Sequence, residues 1–193
     1  SFGDVVLTRT TLDSNTSDGN GGALSNSSGF GVNWIMLDAC TVSRNAAGGS
    51  GGGFSGITGH KSLGHMEAVN STFFGNSAAN NGGGILTNGQ VNLLHCTVSQ
   101  NSCPAGQAGG VLDTSTHGWG LSLTNSIVAG NTAATDPDLS GTEPVLRGNN
   151  LIAGDPMLSY PHNTGGDTEY LPPSPASPAV NAALILPDTP ASD

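Results

Sequence analysis

Residues 70–89 read NSTFFGNSAANNGGGILTNG, and this stretch decides the fold. Phe73 stands three positions before Asn76, Ile85 stands nine after it, and Gly82-Gly83-Gly84 lies between. Two short apolar stretches separated by a small-residue turn fit strands and leave no room for a helical period.

The same unit recurs. Thr10 to Asn15, Cys40 to Asn45, Ser71 to Asn76, Cys96 to Asn101 and Ser126 to Asn131 align, with the Asn advancing by 30, 31, 25 and 30 residues. Three before each Asn is an apolar residue: Leu12, Val42, Phe73, Val98 and Val128. Ten and eight before it stand Val5/Leu7, Ile35/Leu37, Met66/Ala68, Val91/Leu93 and Leu121/Leu123. Nine after it come Leu24, Phe54 and Ile85, each led by small residues, with Gly109-Gly110-Val111 displaced by one. Repeats of this length made only of short strands predict an all-β fold, a right-handed single-stranded parallel β-helix of about five to six coils. Coils stacked about 4.8 Å apart give a rod roughly 25 to 30 Å long. Asn15, Asn45, Asn76, Asn101 and Asn131 are read as an inward ladder at a bend, because a row of surface Asx turns would not keep register with the apolar columns.

Composition agrees with this architecture. Among 193 residues there are 30 Gly and 11 Pro, and only 9% are charged. Glycine suits corners with positive φ, and its doublets and triplets lack the strict three-residue spacing of collagen. Four Lys and Arg against fourteen Asp and Glu leave a formal charge of −10. That balance argues against a nucleic-acid or anionic-lipid partner. No apolar run reaches the ~18 residues of a membrane-spanning helix.

Candidate chemistry is sparse. Cys40 and Cys96 share one column with Ser71 between them, which puts them about two rungs apart, beyond disulfide reach, so two buried free thiols are expected. Cys103 has no partner in register. His60 and His65 flank a Gly-rich loop without a third metal ligand, and His95, His117 and His162 are scattered. Asp136 and Asp138 are spaced to project on one side of a strand, with Asp155 downstream, although Asp136-Pro137-Asp138 also reads as a turn. A site for acidic sugars would also want a nearby cation, and Arg9, Arg44, Lys61 and Arg147 are widely separated. Trp34 and Trp119 precede their Asn residues by eleven and twelve. Each ring either faces outward for a sugar or partner or covers a loop edge. No catalytic residue, cofactor or metal ligand set is expected.

Residues 70–89, above all Phe73-Phe74-Gly75-Asn76 and Gly82 to Ile85, resemble the "FxxN … GGA(I/L)" repeats of chlamydial polymorphic outer-membrane proteins and of large bacterial surface β-helix proteins. Cys40 to Asn45 with Gly51 to Phe54 resembles a second copy, while other coils carry Leu or Val for Phe. The order Asp155-Pro156-Met157-Leu158, Asn163-Thr164-Gly165-Gly166, Ser177-Pro178-Ala179-Val180-Asn181-Ala182 is similar to the closing segment of secreted choice-of-anchor Q type proteins, from which Pro172-Pro173-Ser174-Pro175 departs. These resemblances imply a β-helix on the outside of a bacterium and carry over no catalytic residues.

The expected organisation is regular coils over residues 1–141, then a last coil and a Pro-rich segment over 142–193 lying across the open end. Eight of the fourteen acids fall from Asp136 onward. Little precedes Val5 to cover the first coil, so a preceding domain or another chain is expected there. The expected role is a secreted or cell-surface structural or adhesin-like module. Its partners would be copies of itself, neighbouring surface proteins or carbohydrate, with specificity in loops 25–33, 55–64 and 112–118. The alternatives are a polysaccharide-active lyase or hydrolase and a carbohydrate-binding β-helix.

Overall fold

Each repeat folds into up to four short strands, and successive repeats pair in parallel to make four sheets. The computed structural model describes residues 3–27, 31–57, 62–116, 120–184 and 186. Sheet A stacks Val5–Thr8, Gly31–Asp38, Ser62–Val69, Val91–Leu94, Leu121–Thr124 and Val145–Arg147. Sheet B stacks Thr11–Asp13, Thr41–Ser43, Thr72–Phe74, Thr97–Ser99, Ile127–Val128 and Leu151–Ile152. Sheet C runs from Thr16–Ser17 to Thr132–Thr135, and sheet D from Leu24–Ser25 to Leu139–Gly141, with five strands each. The chain is therefore a parallel β-solenoid that completes five coils and begins a sixth. No helix among the described residues is long and apolar enough to cross a membrane.

The apolar columns meet inside. In sheet B, Leu12, Val42, Phe73, Val98, Val128 and Ile152 stand in register. In sheet D, Leu24, Phe54, Ile85, Val111 and Leu139 do the same. These side chains and the inward residues of sheet A form one continuous core. The displaced fourth repeat returns to register because the strand Ser102–Gln107 carries an irregularity between Cys103 and Gln107.

Two glycine columns have separate physical causes. Gly21, Gly51 and Gly82 take positive φ at the corner before sheet D, where Ala108 and Asp136 hold the same conformation in later coils. One residue on, a Cβ on Gly22, Gly52 or Gly83 would lie within 2.3–2.5 Å of a carbonyl oxygen in the next coil. That column is fixed by close backbone approach.

The described part of the C-terminal segment leaves Leu146, in the inward column of the last coil, 53% exposed. Residues 157–174 form a hairpin tied by Ser159 N–H to Pro172 O, His162 N–H to Tyr170 O, Tyr170 N–H to His162 O and Ser174 N–H to Met157 O. It runs back along the outer face of sheet B. Its tip reaches the first two coils, where Thr41 Oγ1 donates to Glu169 O, Thr168 Oγ1 donates to Ala39 O at 3.2 Å, and Arg9 pairs with Asp167 at 3.4 Å. Arg44 links Asp13 at 2.7 Å to Glu169 at 3.2 Å and lies over the Phe74 ring.

The reason for this path is complementarity. Two of the chain's four cations stand on the first two coils, and the acidic segment is the C-terminal one. Thr41, Ser43, Thr72 and Phe74 point outward from sheet B yet are buried, and Leu171 of the hairpin is buried with them. Burying a Leu or Phe side chain is worth about 1.5–3 kcal/mol, whereas exposed ion pairs contribute roughly 0–1 kcal/mol each.

Burial pushes the Asp13 carboxyl up, but hydrogen bonds from Ser43, Arg44 and Ser14 outweigh it and hold it below its ordinary value. A depressed carboxyl stabilises the fold fully above its unfolded value of about 3.9 and loses that contribution as pH falls through the lower folded value. Thermal melts of Asp13→Asn are therefore expected to lose less stability than wild type as pH falls from about 5 to about 3. Parallel acid limbs in the two proteins would contradict this.

Candidate functional site

The residues singled out by sequence do not converge on one point. Their geometry divides into an internal polar spine, a stacked pair of rings on sheet A, and carboxylates held in turns.

The spine is the asparagine column at the bend between sheets B and C. Asn15 N–H and Nδ2–H both donate to Asn45 Oδ1 at 2.9 Å. Asn45 does the same to Asn76, Asn76 to Asn101, and Asn101 to Asn131, all at 2.9–3.0 Å. The second Nδ2 proton turns back to the preceding coil: Asn45 to Leu12 O, Asn76 to Val42 O, Asn101 to Phe73 O and Asn131 to Val98 O. Asn45, Asn76 and Asn101 are fully buried. A buried amide is tolerated only when its donors and acceptors are matched, which this arrangement achieves coil after coil.

Asp138 completes the spine, a role its sequence context did not disclose. Its Oδ1 accepts from Asn131 N–H at 2.8 Å and Nδ2–H at 2.9 Å. In the three preceding coils its place is taken by Gly53, Gly84 and Gly110, where a Cβ would press on the ladder amides at 2.8–3.3 Å. Glycine leaves room for the asparagines, and at the last rung a carboxylate fills that room and ends the chain of amides.

The other carboxylates are separated from Asp138 by their bonding. Asp136 sits at a corner with φ of 47° and accepts from Ser140 Oγ. Asp155 is exposed and accepts from Met157 N–H. The spacing suggested that Asp136 and Asp138 project together; the turn instead sends one outward and the other into the ladder. Asp113, not singled out from sequence, is buried and accepts Ser115 N–H and Leu121 N–H at 2.8 Å each, closing the loop into sheet A.

Trp34 lies within the strand Gly31–Asp38, half-buried on the outer side of sheet A. Its ring stacks on His65 in the next coil, with centroids 4.5 Å apart and planes 15° from parallel. His65 therefore belongs to a strand and not to a loop; it is buried, and burial pushes its imidazole pKa down. Its Nδ1 makes no hydrogen bond. One face of Trp34 is thus committed to His65. Trp119, His117, His60 and Lys61 lie outside the described residues.

All three cysteines are free and buried. Cys40 and Cys96 hold equivalent positions, each donating its backbone N–H to a serine Oγ of the next coil, Ser71 and Ser126 at 3.0 Å. Burial pushes the Cys96 thiol up to about 12, which keeps it protonated and unreactive. Cys103 lies in the strand Ser102–Gln107 with Sγ 3.0 Å from Asn80 O. Among the described residues no three His, Cys, Asp or Glu side chains gather as a metal site would require.

With this geometry in hand, two segments match the family model for the Chlamydia polymorphic membrane protein repeat, residues 9–27 and 70–88. They fall in the first and third coils, and each spans one ladder asparagine and its glycine corner. No curated protein and no solved structure matches the chain. The protein is a parallel β-helix repeat protein that resembles the polymorphic outer-membrane proteins in these two coils.

Replacing Asn76 by Ala strips Asn45 N–H and Nδ2–H of their acceptor and removes the Nδ2 bonds to Val42 O and Asn101 Oδ1. Each unsatisfied buried group costs about 1–3 kcal/mol, so the two orphaned donors of Asn45 should make denaturant unfolding show a loss of at least about 2 kcal/mol. Asn15→Ala, at the exposed first rung, should cost under about 1 kcal/mol. Equal losses at the two positions would show that the ladder is not the inner support described.

Proposed function

We propose that the chain is a non-catalytic structural and adhesin-like module presented on the outside of a bacterium. The observation that carries this reading is the match of the first and third coils to a repeat of bacterial surface membrane proteins. The use of the interior supports it: apolar columns and the asparagine spine fill the coils, leaving the outer faces as the surface available to partners.

The placement of the carboxylates favours the same reading. Asp138 serves the ladder and Asp155 serves a turn, so neither is positioned as half of a paired acid and base. Contacts of an adhesive module would come from the outward hydroxyl, amide and aromatic groups of the sheets and connecting loops, with copies of itself or neighbouring surface proteins as partners. Carbohydrate is a second partner class because the Trp34 ring is only half-buried and lies on the outer side of sheet A.

Antibody labelling of the source bacterium tests the reading. Intact cells should bind antibody raised against the folded chain as strongly as permeabilised cells do. Labelling that requires permeabilisation would overturn it.

A further inference from the structure

The hairpin 157–174 is attached to the coils differently from the way the coils are attached to one another. Among the described residues, no backbone-to-backbone hydrogen bond joins Leu158–Pro173 to a coil; its bonds of that kind are internal. The coils, by contrast, are tied to each other by continuous ladders. At the tip, Thr41 donates to Glu169 O, Thr168 donates to Ala39 O, Arg44 pairs with Glu169 and Arg9 pairs with Asp167. Leu171 of the hairpin is buried.

The base is held separately. Ser177 Oγ donates to Pro156 O, Asn149 Nδ2 donates to Ala182 O, and Asn125 exchanges bonds with both N–H and O of Leu184. Between the last coil and the hairpin lie Ala153 and Gly154, both at positive φ, and a Cβ on Gly154 would meet nothing within 4 Å. The hairpin is thus a self-bonded unit, pinned at its base, with an open joint and a tip whose polar ties to the coils are two side-chain hydrogen bonds and two exposed ion pairs.

We propose that this hairpin is a releasable cover: its tip lifts from the first two coils as a unit when the Arg9 and Arg44 ion pairs are weakened, uncovering the outer face of sheet B while the solenoid stays folded. The uncovered face carries Thr41, Thr72 and Phe74 beside Arg44. The cover itself displays what that face accepts, an extended segment with an apolar side chain inserted, acidic groups toward the arginines and a carbonyl for Thr41. Opening breaks no strand pairing, so it is separable from unfolding of the coils.

A thiol placed beneath the cover tests this. Thr72, beside Thr41 in register, is buried on the outer face; a Thr72→Cys protein would report cover opening by its rate of maleimide labelling. Buried Cys96 in the same protein reports opening of the coils. Labelling is followed at low salt, in about 1 M NaCl where the screening length falls to about 3 Å, and in the added double variant Asp167→Asn, Glu169→Gln. The expected result is labelling at position 72 about five- to tenfold faster in salt and in the double variant, the size of two exposed ion pairs, with Cys96 unchanged. Position 72 labelling at the rate of Cys96 under every condition would overturn the proposal. So would a rate insensitive to salt and to the double variant, or full reactivity at low salt.

Discussion

A hydrogen bond from one carboxamide to the next, repeated along the axis, is the constraint on which the rest of this structure depends. Each ladder asparagine must accept two N–H groups from the coil before it and donate to the coil after it, as Asn76 does between Asn45 and Asn101. That requirement fixes the register of whole coils. It also sets the residues around the bend. The apolar residue three before each Asn points inward beside it, and the glycines opposite leave space for the amide. Hydrophobic burial supplies most of the driving force for stacking, but it is not directional. The ladder converts a stack with several tolerable offsets into a single one.

A molecule built this way is almost one-dimensional, since each coil touches chiefly its neighbours. The hairpin breaks that rule. By linking the segment after the last coil to Thr41, Arg44 and Arg9, it connects residues more than 120 positions apart and shields the outer face of sheet B. Low overall charge makes this effective, because few other cations compete for Asp167 and Glu169. The acidic C-terminal third and the two arginines of the first coils are complementary halves of one contact.

Much of the solenoid was legible in the sequence because its contacts repeat. Phe73, Val98 and Val128 announce one column by standing at the same offset from an asparagine, and the strands pair at those offsets. What does not repeat was not legible. Asp138 ends the ladder from a position that is glycine in the three coils before it, so its role follows only from three-dimensional proximity. The hairpin's path depends on unique side chains such as Leu171 and Glu169, for which the repeat gives no register. His65 read as a loop residue because glycines surround it; pairing of two eight-residue strands drew it under Trp34 instead.

The central claim, that the asparagines form a buried, continuous spine, is tested most directly by hydrogen exchange of their side-chain amides followed by NMR. Nδ2 protons of Asn45, Asn76, Asn101 and Asn131 should be protected to about the level of backbone amides in the neighbouring strands, with Asn15 exchanging rapidly. Rapid exchange at all five, while the strand amides stay protected, would contradict the account.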